Sequence, residues 1–455
     1  MLDMARLFAE RGVRVSVAVT PSTAAGLLAS SYPSLRPVLL PPFSSATAGL
    51  PDGAESTSAL PSALISPAFI AACDEFSSPF LSLLRLHRPH ALVADFHFPW
   101  AAHHAASLSL PIPLLSFHGT SHFSTAVAAV LSHAKPHLDP ALVDDEDASF
   151  LLPWLPDPPI RLTRAEIPGH VANPTDLVRR MSEAHALAHG MLMNSFRAFE
   201  APYLDLMSRF VRSWTLGPVH LPLQPQPQPH SDVVSWLDAR PPGSAVYVCF
   251  GSLGRFTPAQ LRAIALGLEA AGRPFVWVVK KELDVASPEC LPAGFEGRVG
   301  ERGRIVNGWA PQRAILRHAA VGGFVTHCGW NSLMEAVAAG KPLATWPLHA
   351  EQFFNERFVV DVAGVGVRVG GGAKKRAWSD DEAARPDVPA EEVAAAVEAL
   401  MGGGDAAEAR RRRAAELGQE AERAVAEGGS SYDDLSRLIA ELVQIKSAQN
   451  GSYYP

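Results

Sequence analysis

Short apolar runs alternate with helical patterns along this chain of 455 residues, and no other feature constrains the fold as strongly. A continuous apolar run, such as the one that begins at Ala245, predicts a buried strand. Apolar residues that recur every three or four positions, as from Pro258 to Ala271, predict a helix. Strands that alternate with helices form parallel sheets, because each helix is the crossover between two paired strands. The pattern therefore predicts an α/β protein built from doubly wound sheets.

A Pro-Gln repeat divides this pattern into two halves. Residues 216–230 contain Gln-Pro-Gln-Pro-Gln-Pro, a polyproline-type sequence that cannot lie in a sheet. The predicted units are an N-terminal domain over residues 1–215, a linker over 216–240, a second domain over 241–430 and a C-terminal helix and tail over 431–455. Two doubly wound domains leave a cleft between them, and ligands bind outside the carboxyl ends of the parallel strands.

The beginning of the chain departs from the alternating pattern. Residues from Leu2 to Glu10 have the periodicity of an amphipathic helix, which Gly12 ends, and a strand pattern follows over residues 13–19. An α/β unit normally places a strand before such a helix. We interpret the pattern as the loss of a central first strand, and we expect its two neighbours to lack a hydrogen-bonding partner.

Composition and charge exclude several classes of protein. The net charge is −7 and 47% of the residues are hydrophobic, whereas a nucleic-acid binder has a basic surplus and a disordered chain has few apolar residues. No apolar run approaches the roughly 18 residues that cross a bilayer. The four cysteines form no Cys-x-x-Cys pair, so we expect neither a zinc site nor a disulfide framework. We predict a monomeric cytoplasmic protein that binds neither nucleic acid nor membrane.

The segment 309–352 contains most of the candidate ligand-binding residues. An apolar strand ends at His327, a Cys-Gly turn follows, and a helix begins near Asn331. The free backbone amides at the start of this helix form an anion site beside the hydroxyl of Ser332, and the helix dipole favours negative charge there.

Two more side chains predict what kind of anion binds. Glu335 lies three residues after Ser332 on the same helix face, where its carboxylate can accept hydrogen bonds from two ribose hydroxyls. Trp309 offers a flat ring on which a base can stack. Ring, carboxylate and anion site together indicate a nucleoside diphosphate.

This segment closely resembles the signature of plant secondary-product UDP-glycosyltransferases, which belong to glycosyltransferase family 1. The shared motifs are Trp-Ala-Pro-Gln at 309–312, His-Cys-Gly-Trp-Asn-Ser-x-x-Glu at 327–335, Glu-Gln at 351–352, Phe-Gly-Ser at 250–252 and Val-Ala-Asp-Phe at 93–96. The resemblance implies a GT-B fold, in which two Rossmann-like domains face each other. The C-terminal domain would hold the UDP-sugar and the N-terminal domain a small-molecule acceptor.

The resemblance also implies roles for individual residues. Trp309 would stack on the uracil, His327 would help to hold the diphosphate and Glu335 would bind the ribose. The whole UDP-binding set would be Ser252, Trp309, Ala310, Gln312, His327, Cys328, Gly329, Trp330, Asn331, Ser332 and Glu335. The sugar would contact Trp330, His349, Ala350, Glu351 and Gln352. A glutamine at the last of these positions resembles the members that use glucose, and a histidine at 349 replaces the usual aromatic residue. No metal or other cofactor is implied, because UDP-glucose would be a co-substrate.

The implied reaction inverts the configuration of the sugar. A histidine takes the proton of an acceptor hydroxyl, whose oxygen attacks the anomeric carbon as UDP leaves. Asp95 matches the aspartate that orients this histidine. In the family that histidine precedes the helix with which this chain starts, so we expect Asp95 to lack its partner. His97 and His118 lie near strand ends, and we do not expect either to replace the missing base.

The sequence thus predicts a UDP-glucose-dependent O-glucosyltransferase that acts on a flavonoid, another phenolic compound or a terpenoid. The main alternative is a UDP-sugar-binding protein whose catalysis is impaired by an incomplete N-terminal domain. A nicotinamide-dependent dehydrogenase would also have two α/β domains, but it requires Gly-x-Gly-x-x-Gly after a strand, and this chain has no such motif.

Overall fold

The strands and helices of the protein follow the predicted alternation. A computed structural model describes residues 1–21, 23–24, 34–42, 67–142, 145, 147–172, 174–221, 232–254, 256–279, 290–370 and 388–451. The strands are β1 (Val15–Val19), β2 (Leu35–Leu39), β3 (Leu92–Asp95), β4 (Leu114–His118), β5 (Ser149–Leu151), β6 (Arg161–Thr163), β7 (Gly190–Met193), β8 (Ser213–Thr215), β9 (Ala245–Cys249), β10 (Phe275–Val279), β11 (Gly303–Asn307), β12 (Val321–Thr326), β13 (Leu343–Thr345) and β14 (Gly366–Arg368).

Helices connect most of these strands. They are α1 (Leu2–Glu10), α2 (Pro67–Glu75), α3 (Ser77–His87), α4 (Trp100–Ser107), α5 (His122–His133), α6 (Gly169–Ala172), α7 (Asp176–Leu187), α8 (Arg197–Met207), α9 (Asp232–Asp238), α10 (Pro258–Ala271), α11 (Phe295–Val299), α12 (Gln312–Arg317), α13 (Trp330–Ala338), α14 (Gln352–Arg357), α15 (Ala390–Met401), α16 (Asp405–Val425) and α17 (Ser430–Gly451). Short 3₁₀ turns lie at Pro136–Leu138, Pro140–Leu142, Arg164–Glu166 and Gly300–Arg302, and a π-helical turn lies at Phe358–Val362. The Pro-Gln repeat lies outside the described residues.

The second half forms a doubly wound sheet of six parallel strands. Their order is β11-β10-β9-β12-β13-β14, so strands that follow β9 are added first on one side of it and then, from β12 onwards, on the other. Both of these strands are almost entirely buried, which explains their continuous apolar runs. A reversal of this kind leaves a crevice at the carboxyl ends of the two central strands, where ligands bind.

Local signals set the ends of the helices in this half. Helix α10 begins after Thr257, whose side chain accepts a hydrogen bond from Gln260 N at 3.1 Å, and Pro258 occupies its first turn. It ends at Gly272, which has a φ of +66°. The predicted bounds of this helix are therefore confirmed.

The strands of the first half lie in two parallel sheets in the described part of the chain. Strands β3-β4-β7-β8 form one sheet, and β1 pairs with β2 in another. Strands β1 and β3 therefore each have one neighbour among the described residues. A short antiparallel pair, β5 with β6, joins this half without any clear sequence pattern to predict it.

The two halves share one apolar core. The rings of Phe199 and Trp330 are stacked with centroids 5.9 Å apart, and Phe358 lies 5.3 Å from Phe123. All four side chains are buried in a cluster that contains residues of both halves. The two halves are therefore held together by hydrophobic packing as well as by polar contacts.

The C-terminal helix returns to the first half. In α17, Leu435 and Leu438 are buried in one cluster with Leu7 and Phe8 of α1. Polar contacts accompany this packing, since Thr215 N donates to Asp434 Oδ2 at 2.9 Å. The sequence set this helix apart but gave no sign of where it would pack. Within the described ranges, no helix has the length and hydrophobicity needed to cross a bilayer.

Candidate functional site

The candidate site lies where β9 and β12 end side by side. Their pairing places Cys249 opposite Thr326, so the loops that follow the two strands meet at one edge of the sheet. The imidazole of His327 fills the space between these loops. A Cβ atom at Gly251 would lie 2.6 Å from its Nε2 atom, and one at Gly329 would lie 2.5 Å away. Only glycine leaves room for the ring at these two positions.

His327 is uncharged at this edge of the sheet. Burial lowers the pKa of its imidazole to about 3, and His349 lowers it further by repulsion. The neutral ring can therefore contact a phosphate through a hydrogen bond but not through a positive charge.

Helix α13 points its N-terminus at the same place. It begins at Trp330 after the N-cap residue Gly329, one residue earlier than the sequence predicts, and no side chain caps it. Its first amides have no partner within the helix, and Asn331 is exposed there with Ser332 half-buried beside it. The predicted anion site is thus open to a ligand.

A polar cluster lies along the next turn of α13. Gln312 Nε2 donates to Glu335 Oε2 at 2.8 Å and to Ser332 Oγ at 3.2 Å. Arg313 Nε donates to the other carboxylate oxygen of Glu335 at 3.0 Å. The guanidinium of Arg313 also contacts Asp3 of α1, so the first half of the chain reaches this cluster. The structure brings Gln312, Ser332 and Glu335 together as predicted from the sequence.

Trp309 stands free at the edge of this cluster. Its side chain is 90% exposed, the largest exposure of any large hydrophobic residue in the described part of the chain. The next residue, Ala310, is buried. The indole face is therefore available to a planar ligand.

Cys328 and Trp330 of the predicted UDP set are buried, as Ala310 is. Cys328 is completely buried with a φ of +65°, so it contributes a turn of the backbone. The side chain of Trp330 is 1% exposed and its indole N–H donates to Asn194 O at 2.8 Å. Packing between the two halves buries the ring of Trp330, and its contact with the sugar stays a prediction. Ser252, by contrast, is exposed on the loop after β9.

The predicted sugar-binding residues lie at the start of α14. Gln352 is buried, and its Oε1 accepts hydrogen bonds from Leu348 N at 2.9 Å and His349 N at 3.1 Å. Ala350 has a φ of +53°, which completes the tight loop before this helix. Burial raises the pKa of Glu351, which ends the same loop. Gln352 therefore fixes the shape of the loop that presents His349 and Glu351.

Asp95 lies at the carboxyl end of β3 in the first half. Its Oδ1 accepts hydrogen bonds from His97 Nδ1 at 2.7 Å and from His97 N at 3.0 Å. Burial alone would raise the pKa of Asp95, but the hydrogen bonds and positive charge of His97 lower it overall. The absence of the family's histidine stays a prediction, and in the structure a turn of two residues brings His97 to Asp95.

Several polar residues at the interface were not foreseen. Asn355 is fully buried, accepts a hydrogen bond from Ser124 Oγ at 2.8 Å and donates to Cys328 O at 2.9 Å. Asn194 Nδ2 donates to Asn331 Oδ1 at 3.2 Å. Asn194 directly follows the buried strand β7, and a polar residue at the carboxyl end of a parallel strand is the sequence feature that could have identified it. Among the described residues, no three His, Cys, Asp or Glu side chains are grouped so as to hold a metal ion.

Comparisons with known proteins find relatives that cover nearly the whole chain. The family model described as "UDP-glucoronosyl and UDP-glucosyl transferase" matches residues 220–374, which include the whole site of the second half. A UDP-glucose flavonoid 3-O-glucosyltransferase from Fragaria ananassa is 38% identical over 458 residues, which cover 97% of this chain and 93% of the relative. An anthocyanin 3'-O-beta-glucosyltransferase from Gentiana triflora is 38% identical over 467 residues, which cover 97% of this chain and 95% of the relative.

A solved structure extends the likeness to three dimensions. Glycyrrhiza uralensis UGT73P12, complexed with glycyrrhetinic acid 3-O-monoglucuronide, superposes with a TM-score of 0.89 at 35% identity. The superposition covers 99% of this chain and 94% of the other. The predicted GT-B fold is confirmed.

Proposed function

This chain belongs to the UDP-glycosyltransferase family, and from that premise we propose that it transfers glucose from UDP-glucose to a hydroxyl of a phenolic plant metabolite such as a flavonoid. It is a glycosyltransferase that uses a UDP-sugar donor and a small-molecule acceptor. The identity of the sugar, the acceptor class and the stereochemistry are our proposals.

One observation supports the donor site: Gln312, three residues after the exposed Trp309, is hydrogen-bonded to both Ser332 and Glu335 of α13. Trp309 is exposed for stacking on uracil, and Glu335 lies one helical turn into α13. The open N-terminus of α13 and the neutral His327 then provide donors for the diphosphate. As UDP leaves, these donors oppose its growing negative charge, so the proposal includes no metal ion.

The loop before α14 supports glucose as the transferred sugar. Gln352 shapes this loop through its side-chain oxygen, and its Nε2 remains beside the ring of His349 at 3.4 Å. Glu351, whose pKa burial raises, lies at the same turn. Both relatives described above are named as glucosyltransferases.

The acceptor would lie against the first half, opposite this loop. Aromatic side chains surround the end of β3: Phe96 is stacked on His118 with ring centroids 4.8 Å apart, and Phe98 lies 5.5 Å from Trp100. Flat rings at this edge favour a planar aromatic acceptor. The two relatives are named for flavonoid and anthocyanin acceptors, which supports the same class.

A donor and acceptor screen tests the proposal. The purified chain is incubated with UDP-glucose, UDP-galactose or UDP-glucuronic acid, each with a flavonol, and UDP release and the anomeric configuration of the product are measured. We expect release only when the flavonol is present, fastest with UDP-glucose, and a β-glucoside as product. Binding of UDP-glucose without transfer to any of a panel of phenols would favour the impaired UDP-sugar-binding protein, an alternative that the relatives do not support.

Cytoplasmic localisation and a monomeric state stay predictions from the sequence. The four cysteines, all of them among the described residues, form no disulfide with one another, which is compatible with a reducing compartment. Cell fractionation and light scattering on the purified chain measure the two properties directly.

A further inference from the structure

A hydrogen-bonded pair at the end of β3 has the geometry of a catalytic dyad. His97 Nδ1 lies 2.7 Å from Asp95 Oδ1, and the backbone N–H of His97 donates to the same oxygen at 3.0 Å. Two hydrogen bonds to one carboxylate fix both the position and the rotation of the imidazole. A carboxylate on Nδ1 holds the proton there and leaves Nε2 as the proton acceptor.

The free nitrogen of His97 is accessible. The side chain of His97 is 45% exposed while that of Asp95 is 28% exposed, so the pair is anchored at the carboxylate and open at the ring. Within the described residues, Nε2 of His97 has no hydrogen-bond partner. A hydroxyl of an incoming molecule can therefore reach it without displacing another group of the protein.

His97 lies within electrostatic range of the donor half. Burial raises the pKa of Glu351 on the predicted sugar loop, and the charge that His97 carries when protonated opposes this rise. The ring of Phe96 lies 4.0 Å from that of His97 and provides an aromatic surface beside it. An aromatic acceptor in contact with Phe96 would thus lie beside the imidazole.

The other histidine near Asp95 does not suit the same role. Burial lowers the pKa of His118 to about 3, with His185 adding repulsion, so its imidazole is a very weak base. Its Nε2 is buried and has no partner in the described part of the chain. His118 is also stacked on Phe96, which orients it as part of the aromatic wall.

We propose that His97, oriented by Asp95, is the general base of this glycosyltransferase. The inference rests on the proposed function and deepens it. In the reaction, His97 Nε2 takes the proton of the acceptor hydroxyl while the acceptor oxygen forms a bond to the anomeric carbon. The bond between that carbon and the β-phosphate oxygen breaks, and UDP leaves with the electron pair. The proton on His97 then passes to solvent, so the products are the glucoside, UDP and one proton.

Acceptors of different acidity separate this role from a structural one. A phenol that is un-ionised at the assay pH needs a base, whereas a nitrophenol that is already ionised does not. We expect His97→Ala to lower kcat/KM about 10²–10⁴-fold with the un-ionised phenol, which is the usual contribution of a general base. With the ionised nitrophenol the same variant should lose less than about 10-fold, because no proton is transferred.

Further variants make the result decisive. Asp95→Asn should also lose more activity with the un-ionised phenol, because His97 loses the carboxylate that orients it. Added imidazole should restore part of the activity of His97→Ala, because the substitution leaves a space at the base position. The control is His103→Ala, which removes an exposed histidine on the neighbouring helix α4 and should leave both rates unchanged. UDP affinity, measured by calorimetry, should be the same in all variants if they fold.

Each remaining outcome contradicts the proposal. If His97→Ala lowers kcat/KM equally with both acceptors, His97 is not the base, and the proposed function still stands. If His97→Ala leaves kcat/KM unchanged with both acceptors, the same two conclusions follow. A wild-type chain that transfers glucose to neither acceptor, although it binds UDP, would contradict the proposed function together with this inference.

Discussion

At the scale of single residues, exposure separates the side chains that are open to a ligand from those that are packed in the core. Trp309 and Trp330 both belong to the signature segment, yet the first is 90% exposed and the second 1% exposed. An exposed indole gains little from folding, since most of its surface stays in water. The buried indole packs on Phe199 and donates to Asn194. This difference supports the proposed stacking role of Trp309 and indicates that Trp330 stabilises the fold.

Trp309→Ala should weaken UDP binding without affecting folding. The lost stacking on a base is worth about 1–3 kcal/mol, so the Kd for UDP should rise about 5-fold to 150-fold. The melting temperature should not change, because the ring makes little contact with the protein. Isothermal titration calorimetry and thermal unfolding measure the two effects. Phe210→Ala, which removes a ring that is 78% exposed, is the matched control and should bind UDP normally.

At the scale of elements, the site depends on two strand ends that allow their loops to approach each other. The loops after β9 and β12 each place a glycine against the ring of His327. A Cβ atom on either glycine would collide with the ring. The helix that follows, α13, then begins directly at Trp330. A strand, a glycine turn and a helix N-terminus thus form the proposed phosphate site largely from backbone, and the imidazole of His327 fills the space between the two loops.

Gly329→Ala should displace the ring of His327 and weaken UDP binding. Gly329 has a φ of −63°, so alanine fits the backbone there and the effect is steric, from a Cβ atom 2.5 Å from Nε2. We expect the Kd for UDP to rise about 10-fold or more, which corresponds to a little over 1 kcal/mol. Gly297→Ala, at a position with open space around it, should bind UDP as the wild type does. The double variant His327→Ala/Gly329→Ala tests this explanation. If it binds UDP as weakly as His327→Ala alone, the effect of Gly329→Ala acts through the imidazole. If the losses of binding free energy from the two substitutions add, the explanation is contradicted.

At the scale of the whole molecule, the last helix in the sequence packs against the first half of the chain. Helix α17 packs on α1 and β8 of the first half, more than 200 residues away along the chain. Arg11 donates to Ser436 at 3.0 Å, and His189 Nε2 lies 2.6 Å from Glu441 Oε1. The two halves therefore stabilise each other through this helix, through the shared core and through the polar contacts of Asn355.

Leu438→Ala should therefore destabilise the first half of the chain. Leu438 is completely buried among residues of that half, and truncation of such a leucine costs about 2–5 kcal/mol. We expect a lower melting temperature and faster hydrogen exchange in α1 and β8, both measurable on the intact chain. Val443→Ala on the same helix is the control, because Val443 is 60% exposed. Faster exchange confined to α17 itself would show that this helix does not stabilise the first half.

The sequence by itself determined the features that depend on near neighbours along the chain. The N-cap and C-cap signals of α10, the apolar runs of β9 and β12 and the turn before α13 each depend on a few adjacent residues. The binding motif could be predicted for the same reason, because its strand, turn and helix lie within one short segment. Family and fold followed from these local patterns.

Only the tertiary structure decided which side chains remain exposed and which are paired. Trp330 is buried because Phe199, more than 100 residues away, packs on it. His97 and Asp95 are close in sequence, yet their hydrogen bond depends on how the chain turns at the end of β3. The position of α17 against the first half likewise depends on distant partners. Burial and orientation are set by packing between elements, and a linear pattern of residues does not contain that information.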